Sequence, residues 1–206
     1  MSSLSGAQYE ADAPGPGLSQ SRASALLRQA QAGDRAAYAQ IAIAYQDRLY
    51  NAALRLVGDA EEARDLTQEA FVRGLDHLDG FRGEAAPYTW FFRIVMNLAI
   101  TRLRQVQRRR TFSLDAGNGM ADRLPQRDAA GPLDALEARE RGQQVLFALG
   151  RLDPDQRALL VMRDVEGFDY AQMAALLDLP LGTLKSRLFR ARLALREQLQ
   201  SYLESP

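Results

Sequence analysis

The most informative side chains are five basic residues between Gly182 and Arg196, a stretch without acids: Lys185, Arg187, Arg190, Arg192 and Arg196. Such groups bind phosphates, and an arginine can also read guanine through paired hydrogen bonds in the major groove. At helical spacing, Gly182, Ser186, Phe189 and Arg190 lie opposite a buried stripe of Leu184, Leu188, Ala191 and Leu195. A solvated helix face normally mixes charge signs. The pattern therefore favours a helix that enters a DNA groove over an ordinary amphipathic helix.

A helix-turn-helix is the element that would present this basic helix. Asp169, with Gln172 three positions later, has the spacing of a capping box and predicts a short helix. That helix would bury Met173, Ala174 and Leu177. The segment from Asp178 to Pro180 ends it, and Pro180 suits the first turn of the next helix, where its missing N–H costs nothing.

Composition narrows the function classes. The chain has 206 residues, 47% of them hydrophobic, no cysteine and one histidine, His77. A disulfide framework is impossible and a zinc site would need carboxylates almost alone, so we expect no metal and no cofactor. No P-loop and no nucleophile–histidine pair is present, which argues against an enzyme. No long apolar run occurs, and Met1 to Gly17 does not resemble a signal peptide, so a cytoplasmic protein is expected.

Charge is divided along the chain although its net value is zero. From Arg93 to Arg110 there are six arginines and no acid, whereas Asp59 to Glu69 holds five acids against Arg64 alone. This division indicates two unlike partners, one rich in phosphate and one a basic or mixed protein surface.

The periodicity predicts an all-α chain of two small helical domains joined by a flexible linker, the second containing the helix-turn-helix. The expected boundaries are a disordered extension over 1–20, a first domain over 21–110, a linker over 111–132 and a second domain over 133–206. In the first domain, helices are predicted at Ser24–Gln31 and, after a break at Gly33-Asp34, from Tyr38 to Leu56. Further helices are predicted after Gly58-Asp59 and at Tyr88–Arg110, with a loop over Leu78–Pro87.

The second domain contains another helix start at Asp153-Pro154-Asp155-Gln156, which combines a cap, an N1 proline and a capping-box glutamine. The expected core residues of this helix are Leu160, Val161 and Val165.

Four motifs resemble those of the extracytoplasmic-function (ECF, group IV) sigma factors of the sigma-70 family, small two-domain bacterial transcription initiation factors. They are Ala63-Arg-Asp-Leu-Thr-Gln-Glu-Ala-Phe71, Phe81-Arg-Gly83 with Tyr88-Thr-Trp-Phe-Phe-Arg-Ile94 and Asn97, Leu152-Asp-Pro-Asp-Gln-Arg157, and Gly182-Thr-Leu-Lys-Ser-Arg-Leu-Phe-Arg-Ala-Arg192. The resemblance covers roughly residues 35–110 and 138–199.

The resemblance implies that the first motif docks on the clamp helices of the β′ subunit of RNA polymerase core. It also implies the β flap of the core enzyme as a partner surface. The clamp role falls on Asp65, Leu66, Gln68, Glu69 and Phe71. Arg64, Thr67 and Ala70 depart from the family pattern. Leu66 and Phe71 could instead be core residues, an alternative that the sequence leaves open.

The second motif, by the same resemblance, recognises and opens the minus-ten promoter element. Phe81, Arg82 and Gly83 lie in the loop expected to capture a flipped base. Stacking of the base and phosphate contacts would offset the free-energy cost of flipping it. The resemblance adds Tyr88, Arg93, Asn97, Arg102 and Arg104 along the following helix. Trp90, Phe91 and Ile94 are expected in the core, while Tyr88 and Phe92 are ambiguous.

The last motif implies recognition of the minus-thirty-five duplex. Lys185, Ser186, Phe189 and Arg190 would face the groove, and Thr183 and Arg187 would hold phosphates. Phe189 could contact a thymine methyl, or pack against a neighbouring helix or an inhibitor protein.

The implied function is that of an ECF sigma factor, which directs polymerase to promoters and helps to open them, in a stress or envelope response. Implied partners are polymerase core, promoter DNA and an anti-sigma factor. In this family the anti-sigma factor is often membrane-attached and would then hold the chain at the inner membrane. No small-molecule substrate is implied. The alternative is a stand-alone helix-turn-helix regulator, which would require a strand-rich N-terminal domain. No alternating strand is predicted.

Overall fold

The structure is a computed structural model that describes residues 18–113, 142 and 144–203, without the side chains of 109–113 and 201–203. These residues form helices and turns and contain no strand, which confirms the predicted all-α class. Residues 1–17, 114–141, 143 and 204–206 lie outside the described residues, and with them most of the predicted N-terminal extension and linker.

The first helical unit, residues 18–113, contains α1 (Gln20–Gln31), α2 (Arg35–Val57), α3 (Ala60–Asp76), a 3₁₀ turn (Leu78–Gly80) and α4 (Pro87–Ser113). Asp34 begins α2 by accepting hydrogen bonds from two backbone N–H groups, and Asp59 does the same for α3 with one. Gly58 ends α2 with a φ of 77°, a left-handed conformation that glycine adopts without strain. These residues confirm the predicted breaks, whereas α4 extends past Arg110 into the predicted linker.

Aromatic rings fill the centre of this unit. Phe91 is fully buried and contacts the rings of Tyr38, Tyr45, Phe71 and Trp90. Trp90 and Ile94 are partly buried, as expected of core residues. Both ambiguous aromatics, Tyr88 and Phe92, are buried as well.

The second helical unit, residues 144–203, begins with a helical stretch over 144–150. It continues with α5 (Pro154–Leu160), a π-helical turn (Val161–Val165), α6 (Tyr170–Leu177) and α7 (Leu181–Leu203). The capping box of Asp169 and Gln172 forms as predicted.

Three expectations for the second unit are wrong in detail. Asp153 precedes Pro154 at the start of α5 but makes no side-chain cap, so the second capping box is absent. Val165 is 44% exposed because the wider π turn rotates it away from the position that an α-helix would give it. Pro180 lies just before α7, not in its first turn, and its carbonyl accepts the hydrogen bond from Leu184 N.

The two units pack against each other, and their buried residues form one continuous hydrophobic cluster. The rings of Phe92 on α4 and Phe168 before α6 lie 4.9 Å apart at this contact. None of the helices within the described ranges has the length and apolarity needed to cross a membrane.

Candidate nucleic-acid and polymerase interface

Helix α7 has the two faces that the sequence predicts. Leu184, Leu188 and Ala191 are buried, and Leu195 is partly buried. The predicted groove residues on the opposite face are all exposed: Lys185, Ser186, Phe189 and Arg190. Phe189 is 70% exposed, so in this structure it is not packed into a neighbouring helix. An apolar ring held in water on a basic helix is available to a partner.

Hydrogen bonds order the beginning of this face. Ser186 Oγ donates to the carbonyl of Thr183 at 2.9 Å, and Arg190 Nε donates to the carbonyl of Ser186 at 3.4 Å. Arg187 is exposed and Thr183 is half-buried. Lys185 Nζ lies 5.8 Å from the ring centre of Tyr170 on α6, a contact that the sequence did not suggest.

Within the described part of the chain, Arg192 is the basic residue of α7 that pairs with a carboxylate. Its Nε and Nη2 donate to the two carboxylate oxygens of Asp164 at 3.2 and 2.5 Å. That hydrogen bonding raises the pKa of Arg192. The arginine therefore ties α7 to the π-helical turn.

The loop predicted for minus-ten DNA is held in place by contacts with the first unit. The ring of Phe81 is buried and lies 5.3 Å from the ring of Trp90. Gln31 Nε2 donates to the carbonyl oxygens of Leu78 and Phe81 at 2.9 and 2.8 Å. Of the predicted triplet, only Arg82 and Gly83 are exposed, while Phe81 supports the loop. Gln31 was missed because a polar residue at the end of a short helix gives no sequence signal.

Tyr88 is buried in a polar cluster at the contact between the units. Its hydroxyl donates to Glu166 Oε2 at 2.7 Å, and the guanidinium of Arg48 lies 3.8 Å from its ring centre. Burial first, and then the charge of Glu166, raises the pKa of Tyr88 above its usual range. Arg48 and Glu166, 118 residues apart, were missed because no local pattern joins them.

The remaining minus-ten candidates lie along α4. Arg93 and Asn97 are exposed on it. Arg102 pairs with Glu62 at 2.5 Å and Arg104 with Asp155 at 2.7 Å. Asn97, Arg104 and Arg187 of α7 line one cavity of about 310 Å³ between the units. The structure thus brings candidates for both promoter elements to the same cleft.

Helix α3 exposes an acidic face. Asp65 and Gln68 are exposed, and Glu69 pairs with Arg73 at 2.6 Å. Leu66 is buried and Phe71 packs against Phe91, so both contribute to the core, the alternative that the sequence left open.

Two further apolar side chains, Val72 and Leu75, extend this face and are 60% and 50% exposed. They fall at helical spacing from Asp65 and Gln68, a signal that could have identified them. The exposed face of α3 combines acids with unpaired apolar surface, a composition suited to a protein partner.

Comparison with known proteins assigns both units. Residues 41–110 match Sigma-70 region 2, and residues 142–195 match Sigma-70, region 4. The chain is 34% identical to RNA polymerase sigma-H factor of Pseudomonas aeruginosa, over 90% of this chain and 98% of that one. It is 31% identical to ECF RNA polymerase sigma factor SigW of Bacillus subtilis, over 84% and 95% of the two chains.

Solved structures agree. The sigma factor RpoE of Bartonella quintana, solved with the anti-sigma factor NepR, matches with a TM-score of 0.60 and 26% identity, covering 79% of this chain and 96% of that chain. CnrH, solved with the cytosolic domain of CnrY, has the same fold, with a TM-score of 0.63 and 24% identity over 91% of this chain and all of that one. Two sigma-70 regions in order, on a fold shared with sigma factors, leave one conclusion: this chain belongs to the ECF sigma factors of the sigma-70 family.

Proposed function

We propose that the chain directs RNA polymerase core to particular promoters and helps to open them, without catalysis of its own, in the cytoplasm. The observation that carries this proposal is the separation of its exposed faces. Helix α3 presents acids with Val72 and Leu75, whereas α7 presents Lys185, Arg187 and Arg190 without an exposed acid among them. A protein that joins DNA to an enzyme needs two such unlike surfaces.

Recognition of the upstream duplex is assigned to the first turns of α7. Lys185, Ser186, Phe189 and Arg190 face the groove, while Thr183 and Arg187 hold phosphates. Exposure of the groove residues supports this assignment. A bidentate arginine–guanine pair contributes about 1–3 kcal/mol of discrimination against a wrong base.

Opening of the minus-ten element is assigned to the exposed loop at Arg82 and Gly83 and to the basic side of α4. Phe81 shapes the loop, while Arg93, Asn97, Arg102 and Arg104 follow the exposed strand, with Tyr88 at the base of the helix. Gln31 and Trp90 hold the loop rigidly, which favours this role. A base pocket that is already formed can offset the free-energy cost of unstacking the base.

Docking on polymerase is assigned to Asp65, Gln68 and Glu69 with Val72 and Leu75. Leu66 and Phe71 would hold this face in place from the core. The expected partner surfaces are the clamp helices of β′ and the β flap.

An anti-sigma factor is a further proposed partner. The RpoE relative was solved with such a protein, and exposed Phe189 offers an apolar anchor for one. Membrane attachment of that partner and a role in an envelope or stress response belong to the same proposal.

Run-off transcription with purified core polymerase and a library of genomic promoters tests the proposed function. The chain should produce discrete start sites that core alone does not, and a variant with Asp65→Ala and Gln68→Ala should lose them by failing to bind core. A stand-alone regulator would instead bind duplex tightly without polymerase and leave the start sites unchanged, which would overturn the proposal.

A further inference from the structure

The carboxylate of Glu166 occupies a closed site at the contact between the two units. Its side chain is only 5% exposed. A single oxygen, Oε2, accepts from Arg48 Nε at 3.2 Å and from the Tyr88 hydroxyl at 2.7 Å. Both donors belong to the first unit, whereas Glu166 follows the π-helical turn of the second.

The surroundings of this oxygen are those of an anion site. The guanidinium of Arg48 stacks on the ring of Tyr88, which fixes both donors relative to each other. Arg55 is close enough for its charge to act on Tyr88. Arg48 and Arg93 line an adjoining cavity of about 550 Å³, where Glu84 is the other acid besides Glu166. An arginine with a hydroxyl donor can bind either a carboxylate or a phosphate oxygen.

We propose that Arg48 and Tyr88 form an anion site that Glu166 fills in the compact chain and that a backbone phosphate of the opened promoter strand fills once the units separate. The phosphate part of this inference rests on the proposed function. We call the contact of Glu166 with Arg48 and Tyr88 the latch. The latch depends only on the contact between the two units.

The two occupants exclude each other by geometry. Tyr88 lies in the first turn of α4, directly after the exposed loop of Arg82 and Gly83. Phe168, two residues beyond Glu166, packs on Phe92 and covers the same side of α4. A strand that follows this loop toward α4 can reach Tyr88 only after the segment of Glu166 to Phe168 has moved away.

Glu166 also differs from the other cross-unit carboxylate described in the structure. Asp155 meets Arg104 with both side chains more than half exposed, and pairs of this kind contribute little in water. Glu166 is nearly buried and accepts charge-assisted hydrogen bonds from two donors of the other unit, which are stronger than those of an exposed pair. The Glu166 contact therefore controls separation more strongly.

Fluorescence energy transfer between the units tests the latch. The chain contains no cysteine, so Gln40→Cys on α2 and Gln200→Cys on α7, both exposed, accept dyes without background. Glu166→Gln keeps the side-chain shape and removes the charge, and should raise the ratio of separated to compact chain about tenfold. Tyr88→Phe removes one donor and should produce a smaller change in the same direction.

The matched control is Glu84→Gln, an exposed carboxylate on the same cavity. It should leave the transfer efficiency unchanged, and circular dichroism should show that every variant retains its helices. Equal transfer efficiency for Glu166→Gln and wild type would overturn the latch.

Binding of a short fluorescent single-stranded DNA of mixed sequence tests the second occupant. Glu166→Gln should bind it about tenfold more tightly than wild type, and adding Arg48→Gln should remove that gain. Arg28→Gln on α1, an exposed arginine remote from the site in sequence, controls for loss of one charge.

The outcomes separate the inference from the function on which it rests. If Glu166→Gln opens the chain but Arg48→Gln and Arg28→Gln weaken DNA binding equally, the phosphate assignment is overturned while the latch stands. If the wild type produces no start site with core polymerase although Glu166→Gln opens the chain, the proposed function fails and the latch survives.

Discussion

The buried guanidinium of Arg157, in the second unit, donates through Nη1 to the main-chain carbonyl oxygen of Leu56 at the end of α2 in the first unit. Its Nη2 donates to the carbonyls of Gly150 and Leu152 at 2.6 and 3.3 Å. Burial lowers the pKa of Arg157 to about 10. One cation thus satisfies carbonyl groups of both units, including one at the negative end of a helix dipole.

Replacement of Arg157 should therefore destabilise the compact fold. Arg157→Ala leaves three buried carbonyls without their donor and opens a cavity, and should lower the free energy of unfolding by about 2–5 kcal/mol. Arg157→Met restores most of the volume but not the donors, so its loss should be smaller. Urea denaturation measures both, and the exposed Arg151→Ala is the control. Equal stability of the Ala variant and the control would contradict the role assigned to these hydrogen bonds.

Gly74 on α3 should not tolerate a methyl group. A Cβ placed there would lie 2.6 Å from Phe91 Cε1 and 2.8 Å from the Tyr38 hydroxyl oxygen. Relief would require Phe91 and Tyr38 to shift, although Tyr38 is tied to the Phe71 carbonyl at 2.5 Å. Gly74→Ala should cost about 1–3 kcal/mol of unfolding free energy. Thermal denaturation measures this loss. Gly80→Ala is the control and should stay close to wild type, because a Cβ at Gly80 meets nothing within 4 Å.

Two buried tyrosines should lower the stability of the chain at high pH. The pKa values of Tyr38 and Tyr88 are raised above the ordinary value of 10.0, in both cases first by burial and then by a carboxylate, Asp76 or Glu166. The unfolded chain releases these protons more readily than the folded chain. The contribution of the two tyrosines to the free energy of unfolding is therefore complete below pH 10 and is lost as the pH rises above it.

Phenolate absorbance during an alkaline titration measures this effect. Tyr38 and Tyr88 should ionise only as the chain unfolds. Tyr38→Phe and Tyr88→Phe should each remove one late-titrating group. Early titration of all tyrosines in a chain whose circular dichroism is still helical would contradict the assignment.

The sequence predicts the helices that have strong local signals. Asp34, Gly58 and Asp59 mark breaks that the structure confirms, and Asp169 with Gln172 forms its capping box. These signals depend on neighbours within a few residues, which periodicity and capping rules describe. The exposed face of α7 follows from the same rules.

Long-range contacts could not be predicted in this way. The sequence predicts Phe81 as an exposed aromatic residue of the loop, but its ring packs on Trp90. The sequence places Tyr88 among the candidates for contact with minus-ten DNA, but its side chain contacts Arg48 and Glu166. The burial of these residues depends on which distant segment covers them, and capping and periodicity rules describe only residues that are near each other in the sequence. The π-helical turn that exposes Val165 has no capping or periodic signal.

Gln31 should control promoter opening without affecting assembly. Its side-chain amide donates to the loop carbonyls of Leu78 and Phe81. Gln31→Ala should therefore let the loop move and weaken its binding to the opened DNA strand. Open-complex formation should fall about tenfold, the effect of losing one to two hydrogen bonds. Permanganate reactivity of unpaired thymines measures opening, and affinity for core polymerase should be unchanged. Gln29→Ala, exposed on the same helix, is the control.

Arg190 and Phe189 should separate sequence reading from general DNA affinity. Arg190→Ala should reduce discrimination between upstream promoter elements by about 1–3 kcal/mol, because the groove contact is lost and backbone contacts remain. Arg187→Ala, a phosphate contact by our assignment, should instead weaken all sequences alike and lower the salt dependence. Phe189→Ala distinguishes the two uses of its exposed ring: a thymine contact predicts lost preference at one base pair, and an inhibitor anchor predicts unchanged DNA binding. Competition between promoter duplexes at several salt concentrations measures all three variants, and a uniform loss for Arg190→Ala across sequences would contradict its role in reading bases.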